Sequence, residues 1–323
     1  MRNDGLEDGL EARVTSSEIP VVDQASLSVP IERTDDPPYS VVVPCFNEVD
    51  SIRSMLEELS RVTVPVGAHI IVVDDGSTDG TREVLDEVHR SRSIDGLQVV
   101  RNSSNLGYGA AINFGVRRAR SELIVIIDAD GTYPCDRIPD LIEIAETADM
   151  VVGARTGGRN RQPVLRRFTK NVLRTYCSWL VGQRIPDLNS GLRVFRASVF
   201  DRFRKILPTG FSLTTTLTVA MMRNRYTVVF VPITYAERIG RSKIRPIQDT
   251  AFFVQLILRT GMYFAPLRLL FPLVALLAIG FLASLGYDIF VLEDLTDKTV
   301  IILLFAMNTA LFGLLADMID KRS

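Results

Sequence analysis

The sequence predicts an α/β domain built on a largely parallel, doubly wound sheet, followed by a pair of membrane-spanning helices. Three observations carry that prediction. Between Ser40 and Val152, short apolar runs alternate with segments of helical spacing, the pattern of strands joined by helical crossovers. Polar and glycine-rich residues follow the ends of the runs, where open parallel sheets bind ligands. Near the C-terminus, Leu269–Tyr287 and Thr299–Ala316 run for 19 and 18 residues without a charge.

The elements follow in chain order. Residues 1–38 hold nine acids and three bases, a net of −6. They lack aromatics and periodic apolar positions, so this tail cannot bury enough surface to offset chain entropy and is expected to be disordered. Ser40–Val43 is a strand that stops at Pro44, and Ile52–Leu59 has the helical repeat. His69–Val73 is a second strand, running into Asp74-Asp75-Gly76, and Arg82–His89 a second helix. Leu97–Val100 is a third strand, and Gly109–Ala119 a helix rich in Ala and Arg. Leu123–Ile127, the most hydrophobic strand, ends in Asp128-Ala129-Asp130. Ile138–Ala145 is helical and Met150–Val152 is another strand. Residues 244–268 mix Phe252, Phe253, Leu256 and Ile257 with Gln248, Asp249, Gln255 and Arg259, which suits an amphipathic helix in a membrane interface, with a packed core helix as the competing reading.

The two uncharged stretches, 269–287 and 299–316, are apolar around the whole helix rather than along one stripe. At 1.5 Å per residue each spans roughly 27–29 Å, about one hydrocarbon core. The loop between them is acidic (Asp288, Glu293, Asp294 and Asp297 against Lys298), whereas Arg259 and Arg268 precede the hairpin and Lys321 and Arg322 follow it. By the positive-inside tendency both ends, including the short tail 317–323, face the cytoplasm. The expectation is a multi-pass protein of the cell membrane with its main domain, residues 39–243, in the cytoplasm.

Composition excludes several classes. The chain of 323 residues carries 37 Lys+Arg against 38 Asp+Glu, which argues against a nucleic-acid binder relying on bulk positive charge. Three dispersed cysteines (Cys45, Cys135, Cys177) make no disulfide framework and fit a reducing compartment, and with only two histidines, His69 and His89, a His/Cys zinc site is excluded. The turn after the first strand reads Pro44-Cys45-Phe46-Asn47-Glu48, without the glycines of a dinucleotide fingerprint, and no Walker-type loop occurs. The strongest chemical signal is Asp128-Ala129-Asp130. Two carboxylates at a buried strand terminus are hard oxygen donors suited to Mg²⁺ or Mn²⁺ beside substrate phosphates; a turn in which Asp130 only caps the next helix is the bland reading.

Taken together, Val41–Glu48, Val72–Thr81 and Asp128-Ala129-Asp130 resemble the family 2 inverting glycosyltransferases of GT-A fold. Asp187-Leu188-Asn189-Ser190-Gly191-Leu192-Arg193 and Tyr235–Lys243 are similar to its dolichol-phosphate-mannose synthase branch. Five motifs in one order cover roughly Tyr39–Lys243, and the hairpin suits the branch's membrane anchors. The resemblance implies transfer of a sugar from a nucleotide-sugar, UDP- or GDP-linked, to a polyprenyl phosphate in the bilayer, dolichyl or undecaprenyl, with a homo-oligomer left open. It implies a nucleotide site of Pro44, Asn47, Glu48, Asp74, Asp75, Asn105, Gly107, Asp128 and Ala129, with Tyr108 at a place often basic or aliphatic. Asp128 and Asp130 would hold the metal. Arg155 and Arg167 would act with Asp130 in catalysis, and Arg166, Arg193, Arg238 and Lys243 would hold phosphate. Thr216 falls where the branch commonly has an acid. The alternative is a transferase with a hydroxyl acceptor, which needs a carboxylate base, for which Asp187 is the first candidate.

Overall fold

The computed structural model describes residues 33, 37–155, 164–236, 255–256, 258–292 and 294–320. Seven strands form one sheet: β1 (Ser40–Cys45), β2 (His69–Asp74), β3 (Leu97–Arg101), β4 (Leu123–Ile126), β5 (Met150–Arg155), β6 (Arg193–Arg196) and β7 (Val228–Ile233). Their order is β3-β2-β1-β4-β6-β5-β7. All pairings are parallel except those of β6, which runs antiparallel to both β4 and β5. The mostly parallel fold expected from the sequence is therefore present, with one reversed strand inside it.

Helices cover both faces, which is why the strands read as unbroken apolar runs. On one face Val41, Val43 and Cys45 of β1 meet Ile52, Met55, Leu56 and Leu59 of α1 (Ile52–Thr63), Leu85 and Val88 of α2 (Thr81–Ser91), and Ile138 and Leu141 of α4 (Ile138–Ala145). On the other, Val42, Ile71, Ile124 and Ile126 meet α3 (Tyr108–Arg118), α5 (Val164–Val181), α6 (Ala197–Phe203) and α7 (Leu213–Arg223). The three cysteines are buried and unbridged. The strand and helix positions expected up to Val152 are found within a few residues. β6 and β7, and the helices between them, add to what the sequence reading listed.

The chain crosses the sheet between β1 and β4, and there the strands part early. β1 pairs with β2 along its whole length, Ser40↔His69 to Cys45↔Asp74, but with β4 only from Ser40↔Ile124 to Val42↔Ile126. The Val42 carbonyl accepts from Ile127 N (3.2 Å), so alternate residues of β1 address β4. Pro44, two residues on, thus sets its missing N–H where pairing has ended, which reconciles a proline with a central strand. The result is a crevice at the topological switch point, where such sheets hold ligands.

The hairpin consists of α8 (Pro266–Tyr287), a wider turn of helix over Asp288–Leu292, and α9 (Asp297–Asp320). Pro266–Leu292 and Asp297–Ile319 are long and apolar enough to cross a membrane. At their shared tip Asp288 Oδ2 accepts from Thr296 N (2.9 Å), Thr296 Oγ1 (2.7 Å) and Thr299 Oγ1 (2.6 Å). At the other end Arg268 Nη1 donates to the carbonyls of Trp179 (3.0 Å) and Leu180 (2.9 Å). This caps the C-terminus of α5 with a cation and fixes the first spanning helix to the domain.

Two boundary expectations meet the described residues only in part. Within the expected interfacial region 244–268, Leu256, Phe264 and Ala265 are buried in the domain core, while Leu258, Arg259 and Tyr263 are exposed. That stretch is therefore a core helix on one face; its part before residue 255 lies outside the described residues. The expected disordered tail also lies outside them, apart from Arg33, Pro37 and Pro38. Arg33 Nη1 donates to Asp201 Oδ2 (2.8 Å), and the Pro37 carbonyl accepts from Ser121 Oγ (2.7 Å), so contacts with the domain begin ahead of residue 39.

Candidate active site

Six parallel strands deliver their C-terminal loops to one edge of the sheet. The reversed strand β6 adds the loop that precedes it, because its first residue, Arg193, pairs with Ile126 and Val152. The Asp187–Leu192 segment therefore meets the Asp128–Asp130 turn, although 57 residues separate the two along the chain. The contact is close. A Cβ on Gly191 would lie 2.2 Å from Asp128 Oδ2, so only glycine fits beside that carboxylate. Gly191 N donates to Tyr133 Oη (2.6 Å). On the other side Tyr108 Oη donates to Asp128 Oδ1 (2.7 Å). Burial, followed by the charge of Asp128, holds both tyrosine hydroxyls above their ordinary values, so both keep their protons.

Asp130 is buried two residues on, with Oδ1 accepting from Thr132 N (3.2 Å) and Thr132 Oγ1 (2.6 Å). Ala129 is buried between them, its carbonyl accepting from Ser51 Oγ (3.0 Å). Among the described residues no group of three His, Cys, Asp or Glu side chains could hold a metal. Asp128 and Asp130 would supply two hard oxygen donors at the end of β4, a set that fits Mg²⁺ or Mn²⁺, cations that complete their shells with phosphate oxygens and water.

The turns after β1 and β2 lock each other. Asn47, at φ 54°, accepts from Thr78 N through Oδ1 (2.7 Å), and its own N–H donates to Ser77 Oγ (2.9 Å). Glu48 N donates to Thr81 Oγ1 (2.9 Å). Asn47 and Glu48 thus sit beyond the C-terminal end of β1, tied to the turn after β2. Pro44 is buried within β1, at the point where its pairing with β4 has ended.

Several residues expected at the nucleotide site also hold the site together. Asp74 is fully buried; Oδ1 accepts from Ser77 N (2.9 Å), and Oδ2 lies 3.4 Å from Arg82 Nε and 3.5 Å from Arg101 Nε. Asp75 grips the next loop: Oδ1 accepts from Asn102 Nδ2 (2.8 Å) and Leu106 N (2.9 Å), and Oδ2 from Gly107 N (2.8 Å). Gly107, at φ +103°, and Gly109 admit the backbone of residues 208–210. A Cβ on Gly109 would stand 2.3 Å from the Pro208 carbonyl, and Ala110 N donates to the Thr209 carbonyl (2.9 Å). Asn105 is exposed on this loop.

Arg193 requires a plain correction. It was expected to hold phosphate, yet it has no exposed surface. Its Nε donates to the Ser190 carbonyl (2.8 Å), Nη2 to the Leu188 carbonyl (2.7 Å) and Nη1 to Thr218 Oγ1 (2.7 Å). It is the internal support of the 187–192 loop, and burial pulls its guanidinium down to about 10. Arg155 is likewise engaged: Nε donates to Asp187 Oδ2 (2.7 Å) and Nη2 to Oδ1 (2.8 Å), with the guanidinium 5.4 Å from the Tyr235 ring centroid. Burial opposes both charges, but the mutual hydrogen bonds outweigh it, holding Asp187 below and Arg155 above their ordinary values. A carboxylate so held is a poor general base. Arg166 and Arg167 fall in the first turn of α5, where the backbone alone is described, and Arg238 and Lys243 lie outside the described residues.

Sequence reasoning missed Tyr133 and Gly191 as site residues, and treated Tyr108 only as an unusual neighbour of two glycines. Each earns its place through a contact across the sheet, and no local spacing announces such a contact.

Comparison with known proteins places this geometry among sugar transferases. The family model for Glycosyl transferase family 2 matches residues 40–204, and that for the GtrB C-terminal hairpin matches residues 265–321. A polyprenol monophosphomannose synthase of Mycolicibacterium smegmatis is 32% identical over 63% of this chain and 80% of its own length. A dolichyl-phosphate hexose transferase of Haloferax volcanii is 30% identical over 64% and 86%. An undecaprenyl-phosphate mannosyltransferase of Micrococcus luteus is 30% identical over 63% and 86%. Among solved structures, glucosyl-3-phosphoglycerate synthase of Mycobacterium tuberculosis, in complex with Mn²⁺, UDP and phosphoglyceric acid, superposes with a TM-score of 0.53 at 22% identity, covering 69% of this chain and 78% of that one. That likeness is one of fold.

Proposed function

The chain belongs to glycosyl transferase family 2, and from that premise we propose that it transfers a hexose from a nucleotide-sugar to a polyprenyl phosphate at the cytoplasmic face of a membrane, inverting the anomeric carbon. The observation that carries this reading is the direct run from catalytic core to membrane hairpin. Phe264 and Ala265 are buried in the core, and Pro266 begins the first spanning helix. A domain seated in this way meets its acceptor at the bilayer. Relatives named for polyprenol, dolichyl phosphate and undecaprenyl phosphate support a polyprenyl phosphate as that acceptor. The acidic loop opposite Arg259 and Arg268 supports the cytoplasmic placement.

The chemistry needs no general base. With a second pKa of about 6, a phosphate monoester is mostly a dianion at neutral pH. One of its oxygens forms the bond to the anomeric carbon as the bond from that carbon to the diphosphate oxygen breaks. The nucleoside diphosphate departs with the electron pair, and no proton changes place. The pairing of Asp187 with Arg155 is consistent with this and disfavours a hydroxyl acceptor. Asp128 and Asp130 would hold Mg²⁺ or Mn²⁺, which supplies neutralising charge to the departing diphosphate. We assign Asn47 and Glu48 to the nucleotide side of the crevice. Arg166 and Arg167, with Arg238 and Lys243, are assigned to the acceptor phosphate, where a guanidinium offers a planar fork to its oxygens.

The test uses the full chain in detergent, with UDP- and GDP-hexoses and a polyprenyl phosphate, reading the lipid product by mass. One donor should yield a lipid heavier by one hexosyl unit. Asp130→Ala should abolish the metal-dependent turnover while the domain stays folded. Failure of every donor would sink the reading; retained turnover in the variant would remove the metal role alone.

A further inference from the structure

We propose that Tyr108 is a positioning residue for the leaving-group site, its hydroxyl fixing the Asp128 carboxylate in the orientation that receives the cation. The inference rests on the metal reading above and adds a residue that this reading does not use.

Tyr108 is the first residue of α3, and its backbone is held from two directions. Ahead of it, Asp75 accepts from Leu106 N (2.9 Å) and Gly107 N (2.8 Å). Behind it, Gly109 packs on the 208–210 backbone, and Ala110 N donates to the Thr209 carbonyl (2.9 Å). Its ring stacks on Phe211, with centroids 5.3 Å apart and planes at 18°. The hydroxyl so placed donates to Asp128 Oδ1 at 2.7 Å.

Asp128 is confined on its other side as well. Its Oδ2 abuts the Gly191 backbone, where no side chain fits, and Gly191 is itself tied to Tyr133 by the 2.6 Å bond from its N–H. The carboxylate is thus gripped by a donor on one oxygen and by backbone against the other, which removes the rotation a ligand would otherwise lose on binding. A hydrogen bond to a ligating carboxylate orients it and raises the affinity of the site.

The experiment is a titration of MnCl₂ into the full-length protein in detergent with saturating UDP, repeated with GDP, followed by water-proton relaxation enhancement, which reads Mn²⁺ held on the macromolecule. Wild type, Tyr108→Phe and Asp128→Asn are compared. The phenylalanine keeps the ring and its stack on Phe211, and the melting temperature is recorded for each protein. We expect Tyr108→Phe to bind Mn²⁺ about tenfold more weakly or worse, with turnover recovering as Mn²⁺ is raised and the donor KM unchanged at saturating metal. Unaltered Mn²⁺ affinity in a folded Tyr108→Phe, with Asp128→Asn impaired, would overturn the role of Tyr108 alone. A wild-type protein that holds no Mn²⁺ with either nucleotide would overturn the metal reading and this inference together. Equal loss of turnover at every Mn²⁺ concentration would make Tyr108 structural and refute the inference.

Discussion

Asp187 and Arg155 hold one another through two side-chain hydrogen bonds, with both side chains largely out of water. Removing one partner leaves a buried charge without compensation, so Asp187→Asn should destabilise the domain by about 3 kcal/mol, measured by denaturant unfolding. An essential base would instead lose turnover with stability intact. The depressed pKa of Asp187 adds stability that is present above the unfolded carboxylate value and is lost as the pH falls through the lower folded value. His69 works in the same direction. Burial, aided by the charge of Arg120, lowers it from 6.5 to about 4. Between those values the unfolded chain binds the extra proton, so stability falls on acidification, and His69→Gln should flatten the melting-temperature profile across that window. At this scale the sequence disclosed Asp128 and Asp130, because a run of apolar residues ahead of them marks a buried strand end. It misled on Arg193, since a cation in a loop motif looks alike whether it faces a ligand or, as here, its own carbonyls.

The first turn of α3 and the segment ahead of α7 are joined backbone to backbone. Gly109→Ala would push a methyl group to 2.3 Å from the Pro208 carbonyl, and we expect a cost of about 1–3 kcal/mol, seen as a lowered melting temperature, with Mn²⁺ affinity falling as Tyr108 shifts. The glycines were legible as a sign of close approach, but not what approaches, because the partner lies about 100 residues away in sequence. Strand order was legible only in part. The parallel pairs announce themselves as apolar runs buried on both faces, whereas β6 has four residues bounded by arginines, Arg193 and Arg196, and gives no such signal. Its reversal is nevertheless what brings the 187–192 loop to the catalytic edge.

The whole molecule divides where the core ends, at Ala265. A chain ending after Ala265 keeps Leu256 and Phe264 in place; it should remain soluble without detergent, bind nucleotide and melt like the parent domain. One ending before residue 255 strips those side chains from the core and should melt markedly lower, since deleting buried apolar groups costs several kcal/mol. Differential scanning calorimetry of the two separates them. The membrane hairpin was legible from length and absence of charge; the docking of residues 255–265 was not, because a stripe of Leu and Phe reads the same against lipid as against a core. The cap that Arg268 places on α5 has a last consequence. With no slack between domain and span, the proposed reaction has catalyst and lipid acceptor meeting by lateral diffusion in a shared plane, where encounter depends on molecules per area. Dilution into more aqueous volume leaves that density untouched, while dilution with inert lipid lowers it, so the protein senses its acceptor as a mole fraction of the membrane.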